Sequence, residues 1–186
     1  MGALLALAGA LDHLGRAVGK TVRWLAVLLV LIQLAVVVLR YAFGTSYIWL
    51  QESVLYTNAT LFMLAIAYTF LVDQHVRVDL FYAGWSARAR ALADLSGILL
   101  AVLPFCALVI WASWGYVAVS FRMGEGPMQV GGLPLLPWLK SLIPAMAVLL
   151  TLQAVAIALR CLAVLTGHAA THLPHRGSHG AAEPRG

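Results

Sequence analysis

Between residues 73 and 79 the chain sets two carboxylates, a guanidinium and an imidazole within seven positions: Asp73, His75, Arg77 and Asp79. His75 brings a group with an unperturbed pKa of about 6.5, able to tune such a network with pH. Two further basic residues, Arg88 and Arg90, follow closely enough to pair with the acids. Exposed ion pairs contribute only about 0–1 kcal/mol each. Stability alone therefore does not account for so dense a cluster, and a role in setting helix register or docking a partner is expected.

A second set, Arg40, Trp49 and Glu52, falls at the facing ends of two apolar segments. A salt bridge from Arg40 to Glu52 that closes the hairpin is the favoured reading, and contact with another subunit is the alternative. Three neutral polar residues, Gln33, Asn58 and Gln153, lie inside apolar segments, where hydrocarbon penalises them. Interhelical hydrogen bonding, worth about 0.6–2 kcal/mol each, is favoured over a solute path. Three neutral side chains make a poor pathway.

Covalent chemistry is hard to build from this inventory. His75 is the only histidine at the border of an apolar segment, whereas a bis-histidine haem site needs two at matched depth. A zinc site needs three or four nitrogen or sulfur ligands. His168, His172, His175 and His179 have suggestive spacing, but they fall in a Gly- and Pro-rich tail and are read as solvated. No nucleophile–base–acid set and no phosphate-cradling glycine loop is present. The expectation is a non-enzyme without cofactor or metal.

Composition says where these residues must sit. Hydrophobic residues make up 62% of the chain and charged residues 10%, against about 25% charged in soluble domains; mean hydropathy is +0.91. The 186 residues leave no room for a separate soluble domain. The net charge of +5 resides at segment ends rather than in a basic stripe, so nucleic-acid binding is excluded. Cys106 and Cys161 fall at different depths and are read as packing residues rather than a disulfide.

About 20 apolar residues cross the roughly 30 Å hydrocarbon core of a bilayer. Four segments qualify, at about 22–39, 47–72, 95–119 and 142–159, within a membrane domain of residues 22–165. The expected fold is thus an all-α membrane protein with four transmembrane helices. Residues 1–21 read as an amphipathic arm at the interface, and 79–90 as a second short interfacial helix carrying Phe81 and Trp85. Pro104 is expected to kink the third span. Trp111, Trp114 and Tyr116 suit interface anchors. Residues 121–140, with four glycines and three prolines, read as a loop or re-entrant segment, and 166–186 as a disordered His-rich tail. Gly97/Ala101 and Ala154/Ala158 offer small surfaces for close helix contact.

Nine basic residues fall in the arm, the middle loop and the tail, against three in the opposite loops. That asymmetry places both termini in the cytoplasm.

The motifs themselves carry a resemblance. Arg40-Tyr-x-Phe-Gly-Thr-Ser, Trp49 with Glu52, Phe62-Met-Leu-Ala-Ile-Ala-Tyr and His75-Val-Arg-Val-Asp79 occur in an order and spacing that resembles the DctQ-like small membrane subunits of tripartite ATP-independent periplasmic (TRAP) transporters. The likeness extends from about Arg16 to Gly167. Members of that family often carry two acids after the tryptophan; here Gln51-Glu52 keeps the second. The resemblance implies a non-catalytic small permease subunit in the inner membrane, fixed beside a large multi-span subunit that carries solute and sodium sites. It also implies a periplasmic solute-binding protein as a partner, besides membrane lipids. Two other readings compete with it. A membrane anchor of an electron-transfer complex would need paired histidines, and an autonomous four-helix transporter would need acids facing a shared cavity.

Overall fold

A computed structural model of the chain describes residues 2–71 and 86–166. These residues are helical apart from two connections and the chain ends. We number the helices α1 (Gly2–Ala42), α2 (Ile48–Leu71), α3 (Ala87–Gly97), α4 (Leu103–Met123) and α5 (Leu136–Leu165), with a π-helical turn, Ile98–Val102, joining α3 to α4. Four stretches are long and apolar enough to cross a membrane: Ala6–Ala42, Ile48–Phe70, Arg88–Met123 and Leu136–Leu165. The expected all-α, four-span architecture is what the described residues form.

The helices outrun the spans inferred from hydropathy, because hydropathy marks the hydrocarbon crossing while a helix continues through the headgroup layer. The difference is largest at the start of the chain. Residues expected to form a separate interfacial arm run without a break into the first span as one 41-residue helix. Nothing between them breaks a helix: Gly9, Gly15 and Gly19 are single glycines, each tolerated at a cost of about 1 kcal/mol. Gly19 has its own reason, since a Cβ there would run into the ring of Tyr68 on α2. Similarly, the described part of the expected second interfacial helix is the first turn of α3, capped by Ser86, whose hydroxyl accepts from Ala89 N–H at 3.3 Å. It leads straight into the third span. The connection expected at 121–140 is shorter than predicted, because α4 runs to Met123 and α5 starts at Leu136.

Pro104 does mark the irregularity in the third span. Proline supplies no N–H to the helix ladder, and just before it the Leu103 N–H reaches back five residues to the Ile98 carbonyl. That is the bonding of a π turn, which absorbs one extra residue.

Helix α5 is the hub. It packs against α1, α2, α3 and α4, while α1 and α2 pack on each other as an antiparallel hairpin. Its inner surface is built from small residues: Ala147, Ala154, Ala156 and Cys161 are fully buried. Small side chains let helix backbones approach closely, which matters in lipid, where apolar burial alone gives no net drive. Two clusters result. Ala91, Ile98, Ala154, Ile157, Cys161 and Val164 form one, and Cys106, Ala147 and Leu150 form the other. Each cysteine is a buried thiol outside any disulfide, and the two lie in different clusters. Of the two small-residue pairs, only the α5 pair works in close packing: Ala154 is buried and Ala158 packs against the same cluster, whereas a Cβ on Gly97 would meet nothing.

Candidate functional site

The structure gathers polar side chains at both ends of the bundle and leaves others outside any internal contact. The α1–α2 connection is the simplest. Gly44 adopts φ +65, a left-handed conformation that favours glycine. The Thr45 N–H then donates to the Leu39 carbonyl at 3.1 Å. Gln51 Nε2 donates to Ser46 Oγ at 2.9 Å, tying the first turn of α2 to the connection.

The next residue, Glu52, is buried, but not against Arg40. Its Oε1 accepts from the Gln129 backbone N–H at 3.2 Å, and its Oε2 from that of Leu133 at 2.6 Å. Tyr56, four residues on and therefore on the same face of α2, donates its hydroxyl to the Leu133 carbonyl at 3.4 Å. The loop 124–135 is thereby clamped onto α2. The clamp needs glycines: Gly131 has φ +83, and a Cβ on Gly132 would overlap the Glu52 carboxylate. The salt bridge expected between Arg40 and Glu52 is therefore not formed. Arg40, in the last turn of α1, is exposed. The physical reason is that helix N–H groups are already spent on the ladder, whereas loop N–H groups lack partners and prefer a carboxylate.

The other end of the same loop is held by Glu125. Gly124 terminates α4 in the left-handed conformation, with φ +57. This turns Glu125 back so that its carboxylate accepts from Lys140 Nζ on α5 and Ser120 Oγ on α4. The Lys140 ammonium also lies 4.2 Å from the centroid of the Tyr116 ring, within cation–π range. Hydrogen bonds from Lys140 and Ser120 hold the Glu125 carboxyl below the usual carboxylate range. Phe121 and Trp138 close the corner edge to face, 5.4 Å between centroids.

At the opposite end of the bundle, Asp12 of α1 is buried and forms an ion pair with Arg160 of α5. Gln153 Nε2 donates to its second oxygen at 3.1 Å. Gln153 thus makes the interhelical hydrogen bond expected of it. Gln33 and Asn58, for which the same was expected, make none among the described residues. Sequence reasoning missed Asp12 and Arg160 as a pair because 148 residues separate them.

Among the remaining expected residues, Trp49 lies in the first turn of α2, about half exposed, with its ring 6.2 Å from that of Tyr47. Arg88 is exposed and Arg90 half-buried in the first turn of α3. Asp73, His75, Arg77 and Asp79 lie outside the described residues. No group of three or more histidine, cysteine or acidic residues converges as a metal site among the described residues. A groove of about 480 Å³ opens between α2 and α4 over Leu150, lined by Ile66, Phe70, Ala101, Val102 and Phe105. It is apolar and holds no reactive group.

The buried carboxylates thus clamp a loop and join helices, in a bundle that four apolar stretches carry across a membrane. The protein is a multi-pass helical membrane protein whose resolved polar anchors serve its own assembly. The family model for the DctQ component of tripartite ATP-independent periplasmic transporters matches residues 29–164, and the chain belongs to that family. It is a small permease subunit of a TRAP transporter. No curated protein and no solved structure matches the chain. The matched stretch contains both loop clamps and Arg160, whereas Asp12 precedes it.

Proposed function

We propose that this subunit does no transport chemistry itself and scaffolds the large permease subunit during sodium-coupled uptake of an organic acid or a similar solute. A periplasmic binding protein delivers the solute, and the complex resides in the inner membrane with both termini of this chain in the cytoplasm. The observation that carries the reading is the use of the buried carboxylates. Asp12 and Glu52 are both consumed in holding elements of this chain together, which leaves neither available to a moving ion. The charged residues Asp73, His75, Arg77 and Asp79, with Arg88 and Arg90, form the docking and register element at the border of α2 and α3. Arg40 and Trp49 contribute contacts at the opposite surface. The electron-transfer anchor gains nothing from the family match.

Reconstitution tests the reading. Liposomes holding the small subunit alone should accumulate no radiolabelled organic acid under a sodium gradient. Liposomes with both permease subunits and the binding protein should accumulate it from a panel of such acids. Uptake by the small subunit alone would overturn the scaffold role.

A further inference from the structure

Two carboxamides lie where hydrocarbon surrounds the bundle and have no hydrogen-bond partner among the described residues. Gln33 is the only polar side chain in the sixteen residues between Arg23 and Arg40. It is seven residues inside Arg40, about 10 Å along the helix axis at 1.5 Å per residue. Asn58 is six residues inside Glu52, about 9 Å by the same rise. Because α1 and α2 are joined by a short turn and packed antiparallel, the two amides occupy one level of the hairpin. Gln33 is exposed, flanked at helical spacing by exposed Val30 and Val37; Asn58 is half-exposed, flanked by exposed Leu55 and Phe62. Other polar side chains inside the helices find acceptors or donors of their own. Thr60 and Thr69 bond the carbonyl four residues back, and Gln153 bonds Asp12.

A carboxamide brings donors and acceptors that lipid tails cannot satisfy. Leaving it unpaired in hydrocarbon is costly, and two at one level multiply the cost. We propose that Gln33 and Asn58 are a hydrogen-bonding contact, midway through the membrane, for a transmembrane helix of the large permease subunit. That helix carries a complementary serine, threonine, asparagine, glutamine or histidine at the same depth. The proposal rests on the scaffold reading above and deepens it. It assigns the hairpin α1–α2 as the docking side, with the surrounding Val30, Val37, Leu55 and Phe62 providing the apolar part of the contact.

Co-expression of tagged small subunit with the large subunit, followed by extraction in mild detergent, tests it. Gln33→Leu and Asn58→Leu should each lower the retained large subunit about three- to fifteenfold, the range expected from loss of one interhelical hydrogen bond. The melting temperature of the isolated small subunit should stay unchanged, since neither amide bonds to any of the described residues. Leu108→Ala, an exposed position on α4, should retain the large subunit as the unmodified chain does. The photo-crosslinker p-benzoylphenylalanine at position 33 should join the large subunit. Unchanged retention in both leucine variants, or crosslinks only between copies of the small subunit or to lipid, would overturn the docking assignment while leaving the scaffold reading intact. Failure of the unmodified chain to retain the large subunit would instead remove that reading and the proposal with it.

Discussion

Asp12 and Glu52 are both buried carboxylates at opposite ends of one bundle, and they are satisfied by different chemistry. Asp12 sits between two helices whose backbone N–H groups are committed to their own ladders, so its donors must be side chains: Arg160 and Gln153. Glu52 faces a loop whose N–H groups are uncommitted, and it accepts from the backbone of Gln129 and Leu133. One anchor is an ion pair that fixes helix against helix. The other is a neutral-donor clamp that fixes a loop. The donor available to a buried acid is decided by the secondary structure opposite it, more than by the nearest opposite charge in sequence.

The comparison predicts unequal costs when each acid is removed. Asp12→Ala leaves the Arg160 guanidinium partly buried and uncompensated, a loss of about 3–5 kcal/mol for a pair of this kind. The variant should show the largest fall in melting temperature of the purified subunit in detergent. Asp12→Ala combined with Arg160→Met should recover much of it, because the isolated charge is then gone. A double variant no more stable than Asp12→Ala would mean that the packing of α1, rather than the charge pair, is what was lost.

Glu52→Ala should cost less, about 2–3 kcal/mol, since two charge-assisted hydrogen bonds are removed and the freed loop N–H groups can be hydrated. Its signature should be local. Limited proteolysis should begin to cut within 124–135, with the helices still protected. Gly132→Ala should mimic it by forcing the carboxylate out of its cradle. Equal melting temperatures for Asp12→Ala and Glu52→Ala would erase the distinction between the two anchors.

How much of this was legible beforehand divides along the same line. The four spans follow from hydropathy alone, and Pro104 locates the irregularity of the third. Gln153 reads correctly as a hydrogen-bonding residue because hydrocarbon leaves it few alternatives. Its partner Asp12 does not, because only the close packing of α1 on α5 brings together residues 141 apart. Glu52 reads as the partner of Arg40 because the two fall at the facing ends of adjacent helices. The true donors are backbone groups 77 and 81 residues along, and a backbone N–H leaves no mark in residue type. The one available signal was Gly131-Gly132, a pair able to take a left-handed turn and allow close approach. The arm at residues 1–21 reads as separate from the first span because its charges, Asp12 and Arg16 among them, suggest an interface. With Asp12 neutralised by Arg160, nothing obliges the helix to stop.

The smallest effect is expected at the second loop anchor, and pH should reveal it. Lys140 and Ser120 stabilise the ionised Glu125 carboxylate and hold its pKa below the ordinary value. For a group whose folded pKa is lowered, the stabilisation is fully present above the unfolded pKa and disappears as pH falls through the folded one. The Glu125 link should therefore be intact at neutral pH and weaken only once the solution is more acidic than an ordinary carboxylate pKa. Ser120 then loses an ionised acceptor, and Lys140 keeps only its contact with Tyr116. A cysteine placed by Gly126→Cys, one residue beyond the link, reports this by its rate of maleimide labelling, against a low background because Cys106 and Cys161 are buried. After correction for thiol ionisation, labelling should rise modestly across that acid range in the otherwise unmodified chain. With Glu125→Gln added, the rate should be raised at all pH values and flat through the same range, because the titrating group is gone. A pH-dependent rise that persists with Glu125→Gln would show that the acid sensitivity does not come from the Glu125 link.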